Sequence, residues 1–193
     1  MAFIPRILVF AGSIRTGSFN KKLARAGAAA AQAAGAEVTL IDLRDLPLPL
    51  FDGDLEASQG IPENAKKLKA LMKAHHGFLL ACPEYNSSIT AVLKNAIDWA
   101  SRPMEGEKSL ECFTGKIAAL TSASPGALGG LRGLVVVRMC LGNIGVIVLP
   151  DQLAIPLAGD AFADDGSLKD PKRAAALISL TAKLVETIRK LHV

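Results

Sequence analysis

The stretch ILVFAGSIRTGSFN, residues 7–20, decides the fold, because an apolar run passes through a polar turn directly into an alanine-rich segment. The five apolar residues 7–11 predict a strand that is buried on both faces. Residues 21–34 have the composition of a helix, and Gly35 is a helix-ending residue. The order strand, polar turn, helix is typical of an α/β protein, in which helices cover a parallel sheet.

The polar turn at residues 12–20 predicts a binding site for a phosphate group. The first N–H groups of a helix have no partner within the helix, and the helix dipole is positive at that end. An anion satisfies both, and the two glycines of the turn let the backbone approach it closely. Side chains that can add hydrogen bonds are Ser13, Arg15, Thr16, Ser18 and Asn20. An ordinary helix capped by Ser18 is the structural alternative.

Two other classes of phosphate-binding loop lack their essential residues here. Gly12 and Gly17 have the Gly-x-x-x-x-Gly spacing of a nucleotide P-loop, but Ser18 and Phe19 stand where that loop requires lysine and serine or threonine. The Gly-x-Gly-x-x-Gly sequence of dinucleotide-binding proteins is also missing. Asp42, which could imitate the ribose-binding acid of those proteins, is interpreted as a strand-end residue. The turn therefore fits a single phosphate better than a pyrophosphate, and an NTPase is disfavoured.

Length and composition predict a globular protein with one domain, residues 1–193, because 50% of the residues are hydrophobic and 21% are charged. The net charge of +4 is mild and no long basic run is present, so we expect no nucleic-acid partner. The three cysteines form no Cys-x-x-Cys pair, so we expect no metal site and a reducing, cytoplasmic location. The start lacks the pattern of a signal peptide, and polar residues interrupt the apolar stretch 133–150, so we expect no membrane insertion.

Further strands and helices alternate along the rest of the chain. The patterns predict strands at 37–41, 78–82, 116–121 and 146–149, and helices at 62–76, 87–101, 128–141 and from 171 onward. Residues 44–61 and 102–115 are predicted to be irregular. This alternation predicts a flavodoxin-like three-layer sandwich, with a five-stranded parallel sheet in the order 2-1-3-4-5 and helices on both faces. In that order strands 1 and 3 are neighbours, so the loops after strands 1, 3 and 4 are expected to form one site.

The loops after the third and fourth strands have the composition of a binding site. Residues 83–88, PEYNSS, include the only tyrosine of the chain, Tyr85, whose ring could pack against a flat ligand. The alternative for this loop is a helix cap with a half-buried tyrosine. Residues 122–130, SASPGALGG, contain three glycines and could form a wall lined by backbone. Three such loops at one sheet edge favour a site over three separate structural roles.

Residues 12–20 and 83–88, followed by LKNAIDW at 93–99, resemble the NAD(P)H-dependent FMN reductase family, which includes flavodoxin-like quinone, chromate and azo reductases. The resemblance extends over nearly the whole chain and implies a non-covalently bound FMN. By this resemblance, the residues that would bind the FMN phosphate are Ser13, Arg15, Ser18 and Asn20. The residues that would contact the flavin ring and the ribityl chain are Glu84, Tyr85, Asn86, Ser87, Ser122, Ser124 and Gly126. Phe19 and Pro83 complete the set of residues expected to bind the cofactor. The chain differs from the family at Thr90, where the family usually has proline.

The resemblance also implies the reaction and the partners. A hydride passes from NADPH or NADH to flavin N5, and a quinone or similar small-molecule acceptor then takes two electrons at the same place, in a ping-pong scheme. The flavin is the reactive centre, so no side chain is expected to be catalytic. The family implies a homodimer or homotetramer, and the apolar stretch 131–141 favours a helix covered on two sides. The alternatives are an electron-transferring flavodoxin and an FMN-binding sensor without NAD(P)H turnover.

Overall fold

The computed structural model describes residues 3–192. The strands are β1 (Arg6–Ala11), β2 (Glu37–Ile41), β3 (Gly77–Ala81), β4 (Glu84–Tyr85), β5 (Ser88–Ile89), β6 (Ile117–Ala123) and β7 (Ile147–Ile155). The α-helices are α1 (Phe19–Ala33), α2 (Gly53–Gln59), α3 (Glu63–Ala74), α4 (Ala91–Ser101), α5 (Leu131–Asn143) and α6 (Pro171–Leu191). A short 3₁₀ helix covers Leu43–Asp45. Between residues 3 and 192, no helix is both long and apolar enough to cross a bilayer.

Five strands form one parallel sheet in the order β2-β1-β3-β6-β7. The predicted order 2-1-3-4-5 is confirmed, because β6 and β7 are the fourth and fifth strands of the prediction. Along β1 the side chains alternate between two cores. Ile7 and Val9 pack with α1 and α6, whereas Leu8 and Phe10 pack with α3, α4 and α5. The sheet is therefore the middle of three layers, as the continuous apolar run 7–11 predicts.

The structure differs from the prediction where the apolar pattern is weak or interrupted. Residues 44–61, predicted to be irregular, contain α2, which begins after its cap Asp52 and ends at Gly60. α2 has no buried residue, so no apolar periodicity marks it in the sequence. β7 continues beyond its predicted end at residue 149, because a shift of its register against β6 lets the strand pass Pro150.

The helix predicted from residue 87 begins later, at Ala91. Before it, β4 and β5 pair as an antiparallel hairpin. The turn residues Asn86 and Ser87 have φ angles of 52° and 66°, which suit the two-residue turn of a hairpin. The cap of α4 is therefore Thr90, which lies beyond the hairpin.

Candidate functional site

Three loops follow neighbouring strands at the C-terminal edge of the sheet. They are loop 1 (residues 12–20, after β1), loop 2 (83–88, after β3) and loop 3 (122–130, from the end of β6). The Gly12 N–H donates to the Ala81 carbonyl at 2.9 Å, and the Cys82 N–H donates to the Thr121 carbonyl at 2.7 Å. These bonds continue the sheet pairing up to the loops, so the three loops start side by side at the switch point of the strand order.

Loop 1 presents the N-terminus of α1 without a protein partner. The N–H groups of residues 16–19 donate to no described residue, and the first turn of α1 contains no acidic side chain. Ser18 is the helix cap, and its Oγ accepts the Lys21 N–H at 3.4 Å. Arg15, in the same loop, is exposed. Loop 1 thus has the free donors and the positive charge that an anion site requires.

Contacts from outside fix the backbone of loop 1. The Arg44 guanidinium donates to the Ile14 carbonyl, with the Nε atom at 2.8 Å. A Cβ atom on Gly12 would lie 2.8 Å from Leu93 Cβ, so only glycine permits the close approach of loop 1 to α4. Both contacts hold the loop while leaving its N–H groups free.

Asp42 lies directly after β2, where it has a structural role. Its carboxylate pairs with Lys21 at 2.5 Å and accepts the Arg44 N–H at 2.9 Å. Burial raises the pKa of the Asp42 carboxyl, but these hydrogen bonds outweigh burial, so the pKa lies below its ordinary value. The contacts agree with the interpretation of Asp42 as a strand-end residue.

The Asn20 side chain bonds to loop 3. Its Nδ2 donates to the Ala123 carbonyl at 2.8 Å, and its Oδ1 accepts the Ala123 N–H at 3.0 Å. Asn20 is only 4% exposed, so both bonds are shielded from water. The resemblance assigns Asn20 to the phosphate, whereas its carboxamide oxygen and one of its N–H groups are occupied by the backbone of loop 3.

Loop 2 presents an exposed turn. Tyr85 is 53% exposed, and Asn86 and Ser87 are exposed as well. About half of the Tyr85 surface is therefore accessible to a ligand, and the other half packs against the protein. Pro83, at the start of the loop, is buried.

Glu84 of loop 2 caps α5 from outside that helix. One carboxylate oxygen accepts the Gly133 N–H at 2.9 Å, and the other lies 3.1 Å from the Arg132 guanidinium. α5 has no side-chain cap of its own, because its cap position is Gly130, with a φ angle of 89°. The Glu84 carboxylate is thus bound by α5, and the backbone of Glu84 remains to line the site.

Loop 3 contains a buried hydroxyl group without a partner. Ser122 is fully buried, and its Oγ forms no hydrogen bond with any described residue. A Cβ atom on Gly130 would lie 2.0 Å from this Oγ, so glycine is needed there. Farther along, Ser124 Oγ accepts the Gly126 N–H at 3.3 Å. An orphaned buried hydroxyl is uncommon, and this one is enclosed against Gly130, so a ligand atom could become its partner only after loop 3 shifts.

The sequence analysis identified Thr90 only as a departure and missed its role. Thr90 is buried, and its Oγ1 donates to the Gly12 carbonyl at 2.7 Å and accepts the Leu93 N–H at 3.3 Å. A proline at this position offers neither bond. The available signal was the preference of threonine for helix caps. Thr90 therefore caps α4 and joins it to loop 1.

Side chains of the LKNAIDW segment at 93–99 form hydrogen bonds with residues 49–51. Asn95 accepts the Phe51 N–H at 2.8 Å and donates to the Pro49 carbonyl at 2.9 Å. The Trp99 indole donates to the same carbonyl at 2.8 Å. These side chains hold residues 49–51 against α4 and do not belong to the three loops.

The three cysteines are unpaired, and burial raises the pKa of the Cys82 thiol, which lies just before loop 2. Within residues 3–192, no three His, Cys, Asp or Glu side chains are grouped as metal ligands.

Known proteins that resemble this chain decide its family. The family model for NADPH-dependent FMN reductases matches residues 5–160. The chain belongs to this family. An NAD(P)H-dependent FMN reductase of Pseudomonas aeruginosa is 36% identical over 168 residues, which cover 86% of each chain. A quinone reductase of Pseudomonas putida is 34% identical over 175 residues, 90% of this chain and 89% of its own.

A solved structure agrees with this membership of the FMN reductase family. The flavoenzyme NAD(P)H:(acceptor) oxidoreductase FerB of Paracoccus denitrificans superposes with a TM-score of 0.79 at 30% identity, over 97% of this chain and 98% of that chain. As a member of the family, the protein is an NAD(P)H-dependent oxidoreductase whose cofactor is FMN.

Proposed function

We propose that the protein, acting as a single domain over residues 1–193, binds FMN at loops 1, 2 and 3. We also propose that it passes electrons from NADPH or NADH to a quinone or a similar flat acceptor. The observation that carries the proposal is the N-terminus of α1, where the N–H groups of residues 16–19 have no partner among the described residues. The relatives named as an FMN reductase and a quinone reductase support it.

Loop 1 suits the phosphate of FMN. A phosphate dianion at the start of α1 would receive the free N–H groups, including that of Phe19, and would be stabilised by the helix dipole. Arg15 adds a charge-assisted hydrogen bond, and Ser13 and Ser18 add hydroxyl groups. Asn20 contributes its backbone N–H, because its carboxamide is bound to Ala123.

Loops 2 and 3 suit the rest of the cofactor. The Ser122 hydroxyl has no partner among the described residues and is enclosed in the free protein, so a hydroxyl of the ribityl chain would reach it only if loop 3 shifts on binding. The exposed Tyr85 ring offers a flat surface for a flat ligand. We assign the ring and ribityl contacts to Pro83, Glu84 through its backbone, Tyr85, Asn86, Ser87, Ser122, Ser124 and Gly126.

When bound, FMN supplies the chemistry, because its N5 accepts a hydride and its reduced ring returns two electrons to an acceptor. The residues of the chain would bind the phosphate and orient the ring, and the exposed turn of loop 2 would leave room for a substrate beside it. No side chain is assigned a catalytic role. One open face of the flavin would serve both substrates in turn, which is a ping-pong order. Double-reciprocal plots of initial rates at several acceptor concentrations should be parallel, and intersecting lines would contradict this order.

Anaerobic reduction tests the proposed activity. The FMN-loaded protein should lose its yellow colour when NADPH or NADH is added under nitrogen, and should regain it when a quinone is added. Rates with quinone, chromate, an azo dye and a ferric chelate then rank the acceptors. A protein that retains FMN and is not bleached by NADPH or NADH would be a flavodoxin or a sensor, and the reductase proposal would be wrong.

We propose a homodimer or homotetramer as the functional form. An apolar stripe runs from loop 3 along α5 and is 41–61% exposed, through Leu128, Leu131, Val135 and Met139. Leu131, Val135 and Met139 follow at four-residue spacing and so lie on one face of α5, and a second subunit could cover them together with Leu128. Light scattering should give a multiple of the 20.2 kDa chain mass. Val135→Glu should reduce the mass to that of one chain, and a monomeric wild type would contradict the proposal.

We also propose a cytoplasmic location, which the unpaired cysteines support because disulfides are rare in reducing compartments. Fractionation of the source cells, with the protein followed by antibody, tests this location, and recovery in the membrane or secreted fraction would contradict it.

A further inference from the structure

Loops 1, 2 and 3 are connected by three interloop contacts, each from a side chain to a backbone group. They are Asn20–Ala123 (loops 1 and 3), Thr90–Gly12 (the end of the loop 2 hairpin and loop 1) and Glu84–Gly133 (loop 2 and α5, directly after loop 3). Together they close a triangle, because each loop region is bound to both of the others. A backbone group that is fixed in this way also fixes the neighbouring N–H groups that face a ligand.

The three donor and acceptor side chains are shielded from water. Asn20 is 4% exposed and Thr90 is 2% exposed, and the Glu84 side chain is 10% exposed. A hydrogen bond is stronger in such surroundings than in water, and losing one partner leaves the other buried and unsatisfied. The contacts therefore restrain the loops more than exposed contacts would.

We propose that Asn20, Thr90 and Glu84 are positioning residues that hold the three loops in their FMN-binding arrangement before FMN binds. This role rests on the proposed location of FMN at the loops. Loops that are already ordered lose less conformational entropy on binding, which increases affinity. The affinity for FMN therefore depends on three side-chain groups that do not need to touch the cofactor.

Thr90 gives the sharpest test, because Thr90→Val keeps the shape of the side chain and removes its hydroxyl. T90V should raise the Kd for FMN about tenfold, which corresponds to about 1.4 kcal/mol, since the Gly12 carbonyl loses its partner. Thr90→Ser keeps the hydroxyl and should restore the affinity. Thr181→Val is the matched control, because Thr181 is buried on α6 and its hydroxyl bonds only within its own helix. T181V should leave the Kd unchanged.

Glu84 gives an independent test. Glu84→Ala removes the acceptor of the Gly133 N–H and should raise the Kd for FMN severalfold, whereas Glu84→Gln retains an acceptor oxygen and should have a smaller effect. Hydrogen exchange at the Gly133 amide, measured without FMN, should be faster in E84A than in the wild type. Arg132→Ala removes only the other partner of Glu84, and it should leave both the exchange rate and the Kd near their wild-type values.

Quenching of FMN fluorescence measures the Kd, and thermal unfolding of each variant is followed in parallel. Wild-type protein that does not bind FMN would overturn the proposed function. Wild-type protein that binds FMN, with T90V and E84A binding equally well, would overturn only the positioning role. Equal losses in T90V and T90S would also overturn it, because a general packing defect would then explain both. If T90V does not fold, the Glu84 variants and the Gly133 exchange rate decide.

Discussion

At the N-terminal edge of the sheet, basic side chains cover the carbonyl groups at helix ends, whereas at the C-terminal edge the N–H groups that begin α1 have no partner among the described residues. The covered carbonyls accept at 2.8–3.1 Å, in the pairs Arg6 with Ala74, Lys116 with Lys73 and Arg189 with Gly35. At the other edge, residues 16–19 and the Ser122 hydroxyl are unpartnered within residues 3–192.

The direction of the helices explains this difference. Helices in a parallel α/β fold run opposite to the strands, so their last carbonyls lie at one edge and their first N–H groups at the other. An edge whose polar groups bind one another contributes to the stability of the free protein. An edge with free N–H groups gains from a bound anion. Substitutions at the first edge should therefore change stability, and substitutions at the second should change FMN affinity.

The largest effect on stability is expected from Lys69, which is 2% exposed. It pairs with Glu107 at 2.8 Å and donates to the Ala100 carbonyl at the end of α4. Lys69→Met should lower the free energy of unfolding by about 1.5–3 kcal/mol, because it removes a buried bond to the Glu107 carboxylate, which keeps Lys73 and the Met104 N–H as partners. Urea unfolding measures this change, and the Kd for FMN should not change in the folded variant.

Lys66→Met is the matched control for Lys69, because Lys66 is exposed on the same helix. K66M should change the unfolding free energy by less than about 1 kcal/mol. Equal effects of K66M and K69M would contradict the structural role of the buried pair.

The largest effect on affinity is expected from Arg15. Arg15→Ala should weaken FMN binding about 10- to 100-fold, because it removes a charge-assisted bond to the phosphate. The thermal unfolding temperature of the protein without FMN should not change, since Arg15 is exposed. Arg25→Ala is the matched control, because Arg25 is an exposed residue of α1 and its loss changes the net charge of the protein by the same amount as the loss of Arg15. R25A should leave the Kd for FMN near the wild-type value. A similar loss in both variants would indicate a non-specific charge effect.

A pH dependence of stability is expected from His76 at the N-terminal edge. Burial lowers the pKa of His76 from 6.5 to about 4, and the nearby positive charges of Arg6 and Lys116 add to the shift. The unfolded chain therefore takes up this proton near pH 6.5, whereas the folded chain does so only near pH 4. Stability should fall as the pH is lowered through this window.

Urea unfolding between pH 7 and pH 4.5 tests the His76 prediction. His76→Gln should give a shallower fall in unfolding free energy than the wild type. His76 accepts the Arg6 N–H at 2.9 Å, so the variant is compared by its slope with pH and not by its absolute stability. Identical slopes would show that other groups cause the dependence.

The smallest effect is expected from Ser122. Ser122→Ala should weaken FMN binding about threefold or less, because the enclosed hydroxyl can bond to the cofactor only after loop 3 shifts. Without FMN, the variant should be at least as stable as the wild type, since the hydroxyl it removes has no partner. If the variant were less stable without FMN and its Kd for FMN were unchanged, Ser122 would have a structural role and no role in FMN binding.

The sheet order was predictable because the strands that form it are apolar runs at βα spacing. β1 illustrates this, since its two-faced burial needs the continuous run 7–11. α2 has no buried face, and the β4-β5 hairpin has two-residue strands, so neither gives a periodic signal. β7 contains Pro150, which ordinarily ends a central strand and here accompanies a register shift at the sheet edge.

The position of the candidate site was predictable, but the partners of its side chains were not. Loops at the switch point follow from the strand order alone. The Asn20–Ala123 and Thr90–Gly12 bonds join residues far apart in the sequence, so no local pattern predicts them. Asn20 and Glu84 are also residue types that suit direct ligand contact, which is why their contacts with loop 3 and α5 could not be foreseen.

The claim that the free start of α1 is a phosphate site is tested most directly by comparing FMN with riboflavin, which lacks the phosphate. Titration of the cofactor-free wild-type protein should give a Kd for FMN at least about tenfold lower than the Kd for riboflavin. The R15A substitution should weaken FMN binding and leave riboflavin binding nearly unchanged. Equal affinities of the wild type for the two flavins would contradict the account.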